Sequence, residues 1–216
     1  LALFARHPAH LDALGEAFLP LLLGVHEASM EPGIQSLCVA LLLAFFLACR
    51  ERPELIRKSL DPTQLARFLA NLLLVGASRS TTLACLLIVH ELLERHPTPY
   101  SLLFVRHGVV RAIHRLVTRE DDPQKRAARS AGRVQVVEEV AHKVLSSYFA
   151  SSSHTGESAI LRALGKIAKQ LSSSPTSVVA AHREALGKLH DLLLTSDGVT
   201  AFELTCSGTA SSLGAF

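Results

Sequence analysis

Apolar residues recur along this chain at helical spacing and are interrupted by proline-led breaks. Within 11–28, Leu14, Phe18, Leu21, Leu22 and Val25 mark one face of a helix. Glu31-Pro32-Gly33 ends it. Pro32 suits the first turn of the next helix, where its missing N–H has no intrahelical partner to lose. The segment 33–50 holds 13 consecutive residues without a polar side chain, Leu37 to Cys49. It predicts a helix apolar nearly all round, sandwiched between neighbours, and too short for the roughly 18 residues of a membrane span. A short helix is predicted over 53–60. Asp61-Pro62 then restarts the chain as an N-cap followed by a first-turn proline, with Leu65, Phe68, Leu69, Leu72 and Leu73 facing inward.

A long helix over 78–95 carries Leu83, Leu86, Leu87, Val89, Leu92 and Leu93. A short one over 100–106 closes on Gly108, placed for a left-handed C-terminal cap, and an amphipathic one covers 109–119. After Arg119 the periodicity fails. Glu120-Asp121-Asp122-Pro123-Gln124-Lys125-Arg126 is charged and predicts a solvated loop. Helices resume over 134–149, 157–171 and 177–194, separated by serine clusters at 151–153 and 172–174. Phe202 to Gly208 is similar to Phe104 to Gly108 and predicts the start of a further repeat.

The breaks themselves recur. The prolines of Arg6-His7-Pro8, Arg52-Pro53 and Arg95-His96-Pro97 lie 45 and then 44 residues apart. A shift of 44 sets Leu65 on Val109, Leu69 on Ile113, Leu72 on Leu116 and Leu73 on Val117, and Leu42, Leu43 and Ala44 on Leu86, Leu87 and Ile88. A period of roughly 40–47 residues built from two or three helices is the signature of armadillo and HEAT repeats, and the order short, longer, longest favours armadillo. The expectation is an all-α, armadillo-like, right-handed superhelical solenoid. Residues 1–119 form about two and a half units, 120–133 the charged loop, and 134–216 further armadillo-like helices with the last repeat truncated. The opening at Leu1 in mid-pattern and the helix-like ending Ser212 to Phe216 suggest a segment of something larger. Stacked repeats bury one another's apolar faces and offer a long surface to partners, so the pattern implies a binding scaffold.

Composition adds little to this and contradicts none of it. The 216 residues carry no Trp and a formal charge of +3, too small to argue for nucleic acid. Cys38, Cys49, Cys85 and Cys206 form no C-x-x-C. The first three sit in apolar helical runs, where thiols behave as small buried hydrophobes, and a reducing compartment, nuclear and/or cytoplasmic, is expected. The charge is uneven, however: between 106 and 133 there are eight basic residues against three acidic. Arg111, Arg115 and Arg119 recur every four residues opposite Val109, Ile113, Leu116 and Val117, and Arg106 precedes them. These four arginines are the candidate partner-binding residues, since the guanidinium fork matches carboxylates and phosphates. The aromatic interleaving of a single-strand nucleic-acid binder is missing. A solubilising face that binds nothing is the competing account.

Six segments resemble one family. Leu19-Pro20-Leu21-Leu22, Ser36-Leu37-Cys38 and Pro53-Glu54-Leu55-Ile56 are similar to the armadillo region of HECT-type ubiquitin-protein ligases of the ubiquitin-fusion-degradation and thyroid-receptor-interactor branch. Phe104 to Val110 resembles that family's F-x-R-E-G-V segment, with His107 where an acid is usual. Glu139-Val140-Ala141-His142-Lys143-Val144 with Tyr148-Phe149 resembles its E-Q-A-x-K-F … Y-F segment. Thr195 to Gly208 resembles its S-x-x-S-x-F-E-x-x-x-S-G segment. The resemblance implies a recognition region for protein substrates and/or ubiquitin. Catalysis, and the contact with a ubiquitin-conjugating enzyme, would reside in a C-terminal HECT domain that nothing in these residues matches. The alternative is a non-enzymatic armadillo scaffold or adaptor.

Enzyme chemistry within the chain finds no support. His90 and His96 are six residues apart, whereas a zinc-protease helix needs its histidines at i and i+4 so that both rings face one ion. No G-x-S-x-G elbow occurs, nor a glycine-rich phosphate loop. No catalytic residue, metal or cofactor is expected here, and no membrane association.

Overall fold

The computed structural model describes residues 8–50, 52–76, 78–118, 135–150, 158–172, 178–195 and 198–214. Every regular element among them is a helix: α1 Pro8–Ala28, α2 Pro32–Ala48, α3 Pro53–Ser59, α4 Pro62–Val75, α5 Arg79–Arg95, α6 Pro97–Arg106, α7 Val109–Thr118, α8 Gln135–Tyr148, α9 Ala159–Ser172, α10 Val178–Leu193, α11 Ala201–Cys206 and α12 Thr209–Gly214. The expected loop 120–133 lies outside the described residues.

Local chemistry sets the boundaries. Asp61 caps α4, its carboxylate accepting from the backbone N–H of Thr63 at 3.2 Å and of Gln64 at 3.3 Å, which satisfies two donors that the first turn leaves orphaned. Ser78 caps α5 by accepting from the Thr81 N–H at 3.3 Å. Thr200 and Glu203 form a capping box at the start of α11. Gly108, after α6, adopts a φ of +84°, the left-handed turn the sequence predicted.

The chain divides into two compact units, 1–104 with 109–151, and 105–108 with 152–216. In the first, α2 packs on α5 and α5 on α8, while α4 packs on both α5 and α7. Two pairs of like helices one period apart, α2 with α5 and α4 with α7, therefore lie against one another, which is consistent with an α-solenoid. Several matched positions of the 44-residue shift lie in the core: Leu65, Leu69, Val109, Ile113, Leu86 and Ile88 are each fully buried. Removing such side chains from water contributes about 1.5–3 kcal/mol apiece. In the second unit α9 is the hub, contacting α10, α11 and α12. Leu164, Ile167 and Leu171 of α9 meet Ala185 and Leu189 of α10.

One expectation needs correcting. The apolar helix α2 is not enclosed: Cys38, Val39, Leu42, Phe45 and Phe46 are buried, but Ile34, Leu37, Leu41 and Leu47 are exposed. Apolarity marks a surface suited to burial, and only the neighbours present decide whether it is covered. Its counterpart α5, flanked by α2 and α8, is buried on nearly every side.

Candidate functional site

The amphipathic α7 carries the exposed arginines. Val109, Val110, Ala112 and Ile113 are buried, which turns Arg111 and Arg115, one helical turn apart, out to solvent. Arg119, Lys125, Arg126, Arg129 and Arg133 lie outside the described residues. Beside Arg115, between α4 and α7, is a hollow of about 310 Å³ lined by Leu73, Leu74, Ala112, Leu116 and Thr118 as well. It sets an apolar floor next to a guanidinium, an arrangement suited to a carboxylate with an apolar neighbour.

A residue missed by spacing within one helix occupies the equivalent position one repeat earlier. Arg67, 44 residues before Arg111, is exposed on α4, which packs on α7. Applying the repeat shift to the charges as well as to the leucines would have found it. Among the described residues no carboxylate pairs with Arg67, Arg111 or Arg115, so their charge is available to a partner.

Arg106 belongs to a different setting. It is 8% exposed and lies in the second unit, where its Nε donates to Glu203 Oε1 at 3.3 Å and its Nη2 to the Gly198 carbonyl at 2.7 Å. Glu203 is fully buried. It also accepts from the Ser158 hydroxyl at 2.6 Å and the Thr200 backbone N–H at 3.0 Å. The Thr200 hydroxyl accepts from the Glu203 N–H at 3.1 Å and lies 2.9 Å from the Arg106 carbonyl. Burial pushes the Glu203 carboxyl up. The bonds from Ser158, Thr200 and Arg106, with the Arg106 charge, outweigh that and hold it below the ordinary range. This is a satisfied internal network joining 105–108 to α11, and it leaves Arg106 little to offer a partner.

Two of the buried thiols, Cys49 and Cys85, are inert. Burial pushes Cys49 up to about 11 and Cys85 to about 12, so neither supplies a thiolate nucleophile near neutral pH. Cys206 is exposed. His90 Nδ1 and the Tyr148 hydroxyl are 2.9 Å apart, which ties α5 to α8. No group of three metal-ligating side chains occurs among the described residues. No helix among them is long and apolar enough to cross a membrane. The second unit has its own groove between α9 and α10, about 400 Å³, floored by Ile167 and Leu192 and edged by Lys166 and Lys188.

The chain is similar to the E3 ubiquitin-protein ligase UPL3 of Arabidopsis thaliana, 28% identical over 117 residues. The match takes in 53% of this chain and 6% of that ligase. No family model matches, and no solved structure matches.

Proposed function

We propose that this chain is a protein-recognition region of a HECT-type ubiquitin-protein ligase of the ubiquitin-fusion-degradation branch, built as an armadillo-like right-handed superhelix. The observation that carries the reading is the coincidence of two things. Like helices pack one period apart in the first unit, and half the chain is similar to a ubiquitin-protein ligase. In this reading the solenoid holds protein substrates and/or ubiquitin, while transfer, and the meeting with a ubiquitin-conjugating enzyme, belong to a HECT domain elsewhere in the polypeptide. The setting is nuclear and/or cytoplasmic.

The partner surface is the outer face of α4 and α7, with Arg67, Arg111 and Arg115. Its complement is an acidic protein segment with an apolar anchor for the hollow beside Arg115. Reversing Arg111 and Arg115 to Glu in the full-length protein is expected to weaken crosslinked recovery of its protein partners and ubiquitin by about tenfold, the scale of two surface charge contacts turned repulsive. The thermal midpoint should stay put, because both side chains face solvent. Unchanged recovery would remove the stripe from the recognition surface. If the variant instead lost affinity for RNA or DNA, with a steep dependence on salt, the partner would be a nucleic acid.

A further inference from the structure

The exposed stripe of α2 has a counterpart whose role is settled within the same unit. The 44-residue shift carries Leu37 to Thr81, Leu41 to Cys85, Ala44 to Ile88 and Leu47 to Glu91. All four counterparts on α5 are buried. Two of them show what they are buried against: the Thr81 hydroxyl meets that of Ser36 on α2 at 3.2 Å, and Glu91 reaches Arg50, just past the end of α2, at 3.5 Å. On α5 this face is the one laid on the preceding helix of the stack. On α2 the same face points away from Cys38, Val39, Leu42, Phe45 and Phe46, and it leaves Ile34, Leu37, Leu41 and Leu47 39–58% exposed together with Ala40 and Ala44.

We propose that this face receives the third helix of a further repeat of the same polypeptide, placed before α1 in sequence and stacked on α2 as α2 is stacked on α5. The positions 34, 37, 41, 44 and 47 follow the three-and-four spacing of a helix-packing seam, and an apolar seam of that width calls for an apolar helix. Within the first unit, α8 exposes Glu139, His142, Lys143, Ser146 and Ser147 beside Val136, a mainly polar face that matches this seam poorly, so the occupant proposed is a helix of the same polypeptide and not α8 of another copy. The inference rests on the internal repeat and stands whether or not the polypeptide is a ligase.

Thiol labelling tests it. In a Cys206→Ser background, which removes the exposed native thiol, Leu41→Cys and separately Leu47→Cys are made, with exposed Thr63→Cys on α4 as reference. In the 216-residue chain all three should react with a maleimide at similar rates. In a polypeptide that also carries the stretch of roughly 45 residues, one repeat period, that the proposal places before Leu1, positions 41 and 47 should react at least about tenfold more slowly, as buried thiols waiting on local opening. Position 63 should be unchanged. Equal rates in the extended protein would overturn the proposal, as would a gene that encodes no helical repeat there. Protection already present in the 216-residue chain would overturn it too. Protection that grows with concentration would assign the face to a second copy, and protection independent of concentration would assign it to the chain's own residues.

Discussion

Glu203→Gln is expected to destabilise the chain by about 3–5 kcal/mol, the cost of leaving one member of a buried ion pair without its counter-charge. Gln keeps the size of the side chain and can still meet Ser158. What it removes is the charge facing Arg106, whose own side chain is only about 10% exposed, and one acceptor of the capping box of α11. Urea unfolding followed by circular dichroism reads the change as a shift in midpoint. Replacing both partners, Arg106→Met with Glu203→Leu, should recover a large part of the loss, because apolar side chains need no counter-charge. The pH dependence has a definite sign. The folded Glu203 carboxyl titrates below its ordinary value, so in the interval between the two the unfolded chain binds more protons and stability rises with pH. The contribution is complete above the ordinary carboxylate range near 4.3 and is lost as the pH falls through that range to the folded value. The gap between the native chain and Glu203→Gln should therefore narrow below about pH 4. A gap of constant size would mean that the carboxylate charge plays no part.

Gly108→Ala is expected to be nearly as damaging, for two separable reasons. A side chain at a φ of +84° costs about 1–2 kcal/mol from the contact of Cβ with the backbone. A Cβ at this place would also lie 2.3 Å from Phe202 Cε2 and 2.6 Å from Cδ2 and Cζ, far inside contact distance. Shifting the ring or the turn adds about 1–3 kcal/mol. Gly76 isolates the first cost, having a φ of +79° and no atom within 4 Å of the added carbon. Gly76→Ala should thus be the milder change by a clear margin in the same unfolding measurement. In a Phe202→Ala background the cost of Gly108→Ala should drop toward that of Gly76→Ala, a coupling that a double-mutant cycle reads directly. Equal costs at Gly76 and Gly108 in the native background would show that the ring yields freely.

What the sequence disclosed, and what it withheld, follows the range of the interactions. Asp61, Ser78, Pro32 and Gly108 act on residues within one turn, so their caps and breaks could be read directly. The period of 44 was legible because stacked repeats place like residues in like surroundings: Leu65 and Val109 are both fully buried. Arg106 was not legible. Its spacing places it ahead of the exposed arginines, but the carboxylate that draws it inward is 97 residues away, and no local rule connects them. The exposed face of α2 escaped for a related reason. Thirteen apolar residues specify that a helix wants covering, whereas the neighbours that cover it are set by the stack. Arg67 was within reach of the repeat shift and was missed because only apolar positions were aligned.

The ligase reading is tested most directly on the full-length protein. It should be charged with ubiquitin by an activating enzyme and a conjugating enzyme, then separated with and without a reducing agent. The account predicts a ubiquitin adduct on the protein that disappears on reduction, as a thioester to a cysteine outside these 216 residues must. That adduct should persist after Arg111→Glu and Arg115→Glu, which act on recognition alone. A full-length protein that forms no reducible adduct with a conjugating enzyme shown to be active would contradict the account and leave a solenoid scaffold without transferase chemistry.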